Sequence, residues 1–398
     1  MNDLRKASGT FTKRSGAPRS RRLKLTLGLL VASVVLLTIE GATRLLLPSE
    51  GSKRFAQINQ IVLFLGTHES DLMLDFDSER FWKLKPNISI DAPDNTFWQG
   101  QISNSLGFRC PEFSLVKSPG TIRIICFGDS STFGIGARME HTWPSQLQTM
   151  LQTDRTLADA ETVPHYEVIN AGVPGYTSYQ GLRHMRHELD RLQPDIVMAS
   201  YANNDFWHWD QQTDEAHAEG LISTDRLRDV MLQSRLIQLI DTSLATLKKF
   251  RTDPLATPGN SPNQYWARAA TYNYLKPVDE WTRRVPLDAF RRNITQMADM
   301  CQTRRLPLIL VKWPDQPQAS GRWSPRIAYQ QTLDEIAAAR GLETADVVRL
   351  FQDNRSWSVN TYIPNDIVHV NRYGNALAAT AAKDAVQRVE SLRSAMTN

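Results

Sequence analysis

Among the 398 residues, a serine, a histidine and an aspartate stand where side chains can do chemistry. The stretch CFGDSSTFGIG, Cys126 to Gly136, follows a mostly apolar run from Ile122, so Ser130 sits just past the end of an expected strand. Serine is common in turns, and plain punctuation is one reading of this stretch. The other is a nucleophile held at the end of a sheet. A serine hydroxyl is a poor nucleophile until a base takes its proton. Asp366-Ile-Val-His369 offers that base in His369, with Asp366 three residues earlier to hold the imidazole tautomer and stabilise the imidazolium. Asp129 is expected to order the turn by accepting backbone N–H groups, and Ser131 to be structural. His369 also reads as a surface residue capping the last helix.

These residues need elements to position them. From Thr121 apolar runs alternate with helical patterns: strands at Ile122–Phe127, Tyr166–Asn170, Asp195–Ser200, Leu308–Trp313 and Glu343–Val348. Helices are expected near Trp143–Leu151, Ser178–Leu192, Leu287–Arg304, Arg326–Arg340 and Tyr373–Met396. Strands alternating with helices imply a mostly parallel sheet covered on both faces. Such sheets bind ligands outside the carboxyl ends of their strands. Ser130 ends the first strand, Asn170-Ala-Gly172-Val-Pro-Gly175 follows the second and Tyr201-Ala-Asn-Asn-Asp205 the third, while Asp366 and His369 precede the last helix. All lie on that side of the sheet. Residues 206–285 break the rhythm and read as an insertion over one end of the sheet, containing a helix near Asp225–Phe250. Residues 49–118 read as an irregular, partly extended leading segment with short strands or turns at Phe81–Leu84 and Leu106–Arg109.

Gly128-Asp129-Ser130, Gly172, Asn204 and Asp366-x-x-His369, in this order, resemble the SGNH/GDSL hydrolase family over roughly Thr121 to Arg393. Asn104–Arg109 and Arg284–Arg291 resemble a membrane-anchored bacterial branch of it. The resemblance implies a three-layer α/β/α, flavodoxin-like fold and an ester hydrolase working through an acyl-enzyme on Ser130, with no metal or organic cofactor. It assigns the oxyanion donors to the backbone N–H of Ser130, the backbone N–H of Gly172 and the side-chain amide of Asn204. The nucleophile-elbow hydrolases are disfavoured, because G-x-S-x-G requires glycine where Thr132 stands. The family has glycine two residues before the oxyanion asparagine, and this chain has Ala202, which tolerates positive φ poorly. Asn204 and Asp205 also read as simple loop residues. Trp207 and Trp209 read either as a platform for a sugar ring or as packing for the insertion. The substrate class implied is an O-acylated, for instance acetylated, cell-envelope or exported polysaccharide. Acyl transfer to a sugar hydroxyl by the same serine, or an inactive envelope-binding scaffold, are the alternatives.

The composition, 41% hydrophobic and 22% charged, suits a packed core. Residues 1–24 carry eight Lys/Arg and one Asp, so the net +4 leaves +4 − 7 = −3 for the rest. The basic balance belongs to a tail and excludes a nucleic-acid-binding face. An uncharged apolar run, Leu25–Ile39, follows the tail. Residues 25–47 read as an uncleaved transmembrane signal anchor, with residues 1–24 cytoplasmic and the domain at 119–398 in the periplasm. Cys110, Cys126 and Cys301 show no metal or disulfide spacing. His184 and His187 lack the third element of a zinc motif, and Arg283, Arg284 and Arg291 read as a solvated basic face.

Overall fold

This computed structural model describes residues 18–46, 73–90, 100–157, 164–207, 213–223, 282–364 and 366–397. The chain divides into two units, residues 1–53 with 226–254, and residues 54–225 with 255–398. In the first unit, Pro18–Leu46 forms one helix, α1, whose apolar side chains, Leu27, Leu30, Val34 and Leu37 among them, are exposed. Among the described residues no helix is long and apolar enough to cross a membrane. The anchor expected over residues 25–47 is not found by that measure.

In the second unit the leading segment builds two small antiparallel pairs: β1 (Leu74–Asp77) with β2 (Phe81–Leu84), and β3 (Ser89–Ile90) with β4 (Gly100–Gln101). It is no loose tether. Met73, Phe81, Trp82, Ile102 and Phe108 are buried in the main core, where each large apolar side chain stabilises by on the order of 1.5–3 kcal/mol.

The central strands are β5 (Thr121–Gly128), β6 (His165–Gly172), β7 (Ile196–Ser200), β8 (Leu308–Lys312) and β9 (Glu343–Asp346). All pair in parallel, in the order β6-β5-β7-β8-β9. The first strand therefore lies inside, and the chain leaves it in opposite directions toward β6 and β7, which opens a crevice at the carboxyl end of β5. The described helices of this unit are α2 (Ser130–Phe133), α3 (Trp143–Leu157), α4 (Ser178–Leu192), α5 (Asn203–Phe206), α6 (Asp214–Ser223), α7 (Leu287–Thr303), α8 (Gln316–Ala319), α9 (Ile327–Arg340), α10 (Val347–Asp353), α11 (Arg355–Ser358) and α12 (Arg372–Thr397).

Side-chain alternation explains the layers. Ile125, Phe127, Ile169, Val197, Ala199 and Leu310 face one core with α4, α7 and α9. Their neighbours Ile124, Cys126, Val168, Met198 and Ile309 face a second core with α3, α10 and α12. Because both faces are covered, the strands read as continuous apolar runs rather than alternating ones. The expected three-layer α/β/α fold around a parallel sheet is the observed one.

Two expectations change. The last strand stops at Asp346, not Val348, because the Asp346 carboxylate accepts the Arg349 N–H at 3.0 Å and caps α10. Of the insertion at 206–285, residues 208–212 and 224–281 lie outside the described residues, and with them Trp209 and the helix expected at Asp225–Phe250. The three cysteines are buried and free.

Candidate active site

Strand β5 runs straight into α2, and Asp129 makes the turn. It is fully buried, and its Oδ1 accepts the Ser131 N–H at 2.8 Å, capping a helix whose first residue is Ser130. The Ser130 carbonyl is held by the Gly134 N–H at 2.9 Å. Ser131 is structural, its Oγ accepting from Asn203 Nδ2 at 3.3 Å. These bonds leave the Ser130 hydroxyl to one partner, His369 Nε2, at 2.7 Å.

His369 and Asp366 share the segment before α12. That segment is fixed by a bridge between Tyr362 and Val370, by the Ile363 N–H donating to the His369 carbonyl and by the Gln316 N–H donating to Ile367. Asp366 Oδ1 accepts the Val368 and His369 N–H groups at 2.7 and 2.9 Å, and Oδ2 lies 2.6 Å from His369 Nδ1. Burial pushes the Asp366 carboxyl up, but the imidazole beside it and these N–H bonds outweigh burial and hold it below the usual range. Burial pulls His369 down, and the Asp366 charge with its hydrogen bond more than restores it, holding it above the usual histidine range. A carboxylate only accepts, so the ring proton sits on Nδ1 and Nε2 accepts from the serine hydroxyl. The arrangement can take a proton from Ser130 and return it to a leaving group.

The side that would hold a developing oxyanion differs from expectation. The Gly172 N–H donates to Asn170 Oδ1 at 3.0 Å and is engaged within the protein. Asn170 Nδ2 in turn donates to the Thr132 carbonyl at 2.9 Å, tying β6 to α2. A Cβ at Gly172 would lie 2.2 Å from the Phe133 nitrogen, so glycine is needed there for close packing. The free donor lies three residues on. Val173-Pro-Gly-Tyr176 closes as a turn, with the Tyr176 N–H donating to the Val173 carbonyl at 3.2 Å and Gly175 at φ +79°. Among the described residues, no acceptor faces the Gly175 N–H. The Pro-Gly pair in a type II pattern was the available signal.

Asn204 meets this turn, its Nδ2 donating to the Tyr176 carbonyl at 2.9 Å. The residue before α5, Ala202, has φ +122°, a region L side chains rarely adopt. It is held there by its N–H bond to Asp205 Oδ2 at 3.1 Å. Asp205 Oδ1 also accepts the Ser178 N–H and hydroxyl. Burial raises the Asp205 carboxyl, against those donors, to about 7. Strain of this kind costs on the order of 1–3 kcal/mol, and glycine's greater freedom in the unfolded chain offsets roughly 0.5–1 kcal/mol of it. We expect Ala202→Gly to stabilise by about 1 kcal/mol and raise the melting temperature by a few degrees. Thermal unfolding checks this, and an equal or lower midpoint contradicts it.

The sequence model of the GDSL-like Lipase/Acylhydrolase family matches residues 126–377. The chain belongs to this family. It is a serine hydrolase acting on ester bonds. A comparison with curated proteins finds no match. Similar solved structures include an acetyl xylan esterase, AlAXEase, at 18% identity, covering 67% of this chain and 100% of that one with a TM-score of 0.39. A lipase/acylhydrolase from Enterococcus faecalis is 18% identical, covering 66% and 94%, with a TM-score of 0.36. A catalytic mutant of an acetylxylan esterase from Geobacillus stearothermophilus is 14% identical, covering 69% and 96%, with a TM-score of 0.39.

Other candidates in this GDSL hydrolase fall into place differently. Trp207 is half-buried beside the site. The Arg326 guanidinium lies 5.6 Å from its ring centre and adds its charge near His369. Arg326 is itself pinned by Asp315 at 2.7 Å. His184 is not on a solvated face. It is buried between Phe108, Phe127 and Tyr176, and burial lowers its pKa to about 3. His187 pairs with Glu79 at the surface. No cluster able to hold a metal occurs among the described residues. Of the basic stretch, Arg291 is solvated, but Arg284 is buried and paired with Asp214.

Proposed function

We propose that this GDSL hydrolase removes an O-acyl group, acetyl in the simplest case, from a cell-envelope or exported polysaccharide through an acyl-enzyme on Ser130. Ser130 Oγ attacks the ester carbonyl while His369 Nε2 takes its proton, and Asp366 stabilises the imidazolium. The oxyanion is held by the N–H groups of Ser130 and Gly175 and by the remaining amide hydrogen of Asn204. The C–O bond then breaks, and the sugar hydroxyl leaves with the proton from His369. Water, deprotonated by the same histidine, releases the carboxylic acid and frees Ser130. The observation that carries this reading is the unbroken line Ser130–His369–Asp366, with 2.7 and 2.6 Å contacts. Trp207 is the described candidate for sugar contact. Trp209 is proposed beside it from sequence alone.

The same proposal places the enzyme at the inner membrane, held by α1 with residues 1–24 in the cytoplasm and the hydrolase domain in the periplasm. The basic tail and the exposed apolar side chains of α1 support it. The direct test incubates the full-length protein with an O-acetylated polysaccharide and an unacetylated sugar acceptor. Hydrolysis yields free acetate matching the ester lost. Acetyl groups recovered on the acceptor instead would replace hydrolysis by transfer, and no loss of ester would remove the polysaccharide from the proposal.

A further inference from the structure

The turn that carries the Gly175 N–H has no support from regular pairing, yet all three of its last carbonyls are held. The Pro174 carbonyl accepts from Trp82 Nε1 at 2.9 Å, the Gly175 carbonyl from Arg284 Nη1 at 2.7 Å, and the Tyr176 carbonyl from Asn204 Nδ2 at 2.9 Å. Its start is tied to the nucleophile strand, where the Val173 N–H donates to the Gly128 carbonyl at 3.0 Å. With the Pro174 carbonyl held by Trp82, the peptide that carries the Gly175 N–H is oriented before any substrate arrives, and Arg284 fixes the following peptide through the Gly175 carbonyl.

The donors come from distant parts of the chain. Trp82 belongs to the β1–β2 hairpin, outside the residues that match the family. It is buried, and its own carbonyl accepts the Tyr176 hydroxyl at 2.5 Å, so hairpin and turn are joined twice. Arg284 stands at the end of the insertion and is 2% exposed. Asp214 takes its Nε and Nη2 at 3.0 and 3.1 Å, and Gln180 Oε1 takes Nη2 at 2.8 Å. Asp214 is also bonded by Thr177 Oγ1 at 2.6 Å. The guanidinium is thus locked on two sides, and its Nη1 donates to the Gly175 carbonyl. A buried charge bonded in this way resists displacement, because breaking one bond leaves the others unsatisfied.

We propose that Trp82 and Arg284 are positioning residues of this hydrolase: they hold the Pro174 and Gly175 carbonyls so that the Gly175 N–H faces the developing oxyanion. The leading hairpin and the end of the insertion are then parts of the catalytic apparatus rather than decoration. The inference rests on the proposed role of Gly175 as an oxyanion donor.

The test uses full-length Trp82→Phe and Arg284→Lys with p-nitrophenyl acetate, active sites being counted with a fluorophosphonate. Trp82→Phe keeps a buried ring and the backbone carbonyl that Tyr176 bonds, so it decides the matter if the arginine variant does not fold. Misplacing a transition-state donor lowers kcat and leaves ground-state binding alone. We expect kcat per titrated site to fall by about 10- to 100-fold in each variant, with KM within about twofold. The acid limb of the pH profile stays where it is, because neither residue touches His369 or Asp366. Unchanged kcat per site overturns the inference, as does a loss shared equally between kcat and the acid limb. A wild-type crystal structure with phenylboronic acid bonded to Ser130 separates the two claims. A boronate oxygen on the Gly175 N–H upholds that donor whatever the variants do. An oxygen held elsewhere removes the donor role and the positioning role together.

Discussion

Replacing Ser130 by alanine lowers kcat for p-nitrophenyl acetate by about 10⁵- to 10⁶-fold, to a rate carried by binding and oxyanion donors alone. The size follows from the geometry. Ser130 Oγ has His369 Nε2 as its acid–base partner at 2.7 Å, and Ser131, the neighbouring hydroxyl, is engaged with Asn203. No second hydroxyl on α2 can substitute, since Thr132 is fully buried. Ser130→Ala removes one hydroxyl from a helix start that Asp129 caps independently, so the variant keeps its fold. The measurement compares purified full-length proteins, with fluorophosphonate labelling alongside. Wild type labels and the variant does not. Retained hydrolysis in the variant, with circular dichroism unchanged, would move the nucleophile elsewhere and undo the catalytic reading.

Asp366→Asn is expected to cost about 10⁴-fold in kcat. Asp366 does two things that asparagine cannot. It accepts the Nδ1 proton of His369 at 2.6 Å and so fixes the tautomer whose Nε2 is free to act as base. An asparagine amide turned the other way favours a proton on Nε2, which blocks that role. The carboxylate also raises the pKa of His369, against burial, above the usual histidine range. The sign for pH is direct. His369 works when neutral, so wild-type kcat/KM is lost as pH falls through this raised value. In Asp366→Asn the larger raising charge is gone, that of Asp129 and the burial remain, and the titration moves to lower pH. A proton NMR titration of the His369 ring reads this independently of the rate. A histidine pKa that stays put in the variant would show that Asp366 does not set the charge on the base.

The Ser130, Asp366 and His369 positions were legible because their signals are local. A strand with two buried faces reads as an unbroken apolar run, so the end of β5 and the serine after it announce themselves. Asp366 and His369 lie three residues apart, close enough to be bonded whatever the rest does. Asn204 was legible in the same way, four residues past the end of β7. The question raised by Ala202 was also written in the chain, and its φ of +122° is the answer.

What only the tertiary structure decided was which groups are already taken. Gly172 and Gly175 are interchangeable as letters in one loop. The side chain of Asn170 and the approach of α2 occupy the first and leave the N–H of the second open. His184 and Arg284 looked like solvated surface because local sequence pattern does not show what packs above them. The leading segment brings Phe108 over His184, and the insertion brings Asp214 to Arg284. Trp82 carries no motif at all, and its bond to Pro174 spans 92 residues. A donor's availability depends on every group packed against it, and those groups come from parts of the chain that local pattern cannot connect.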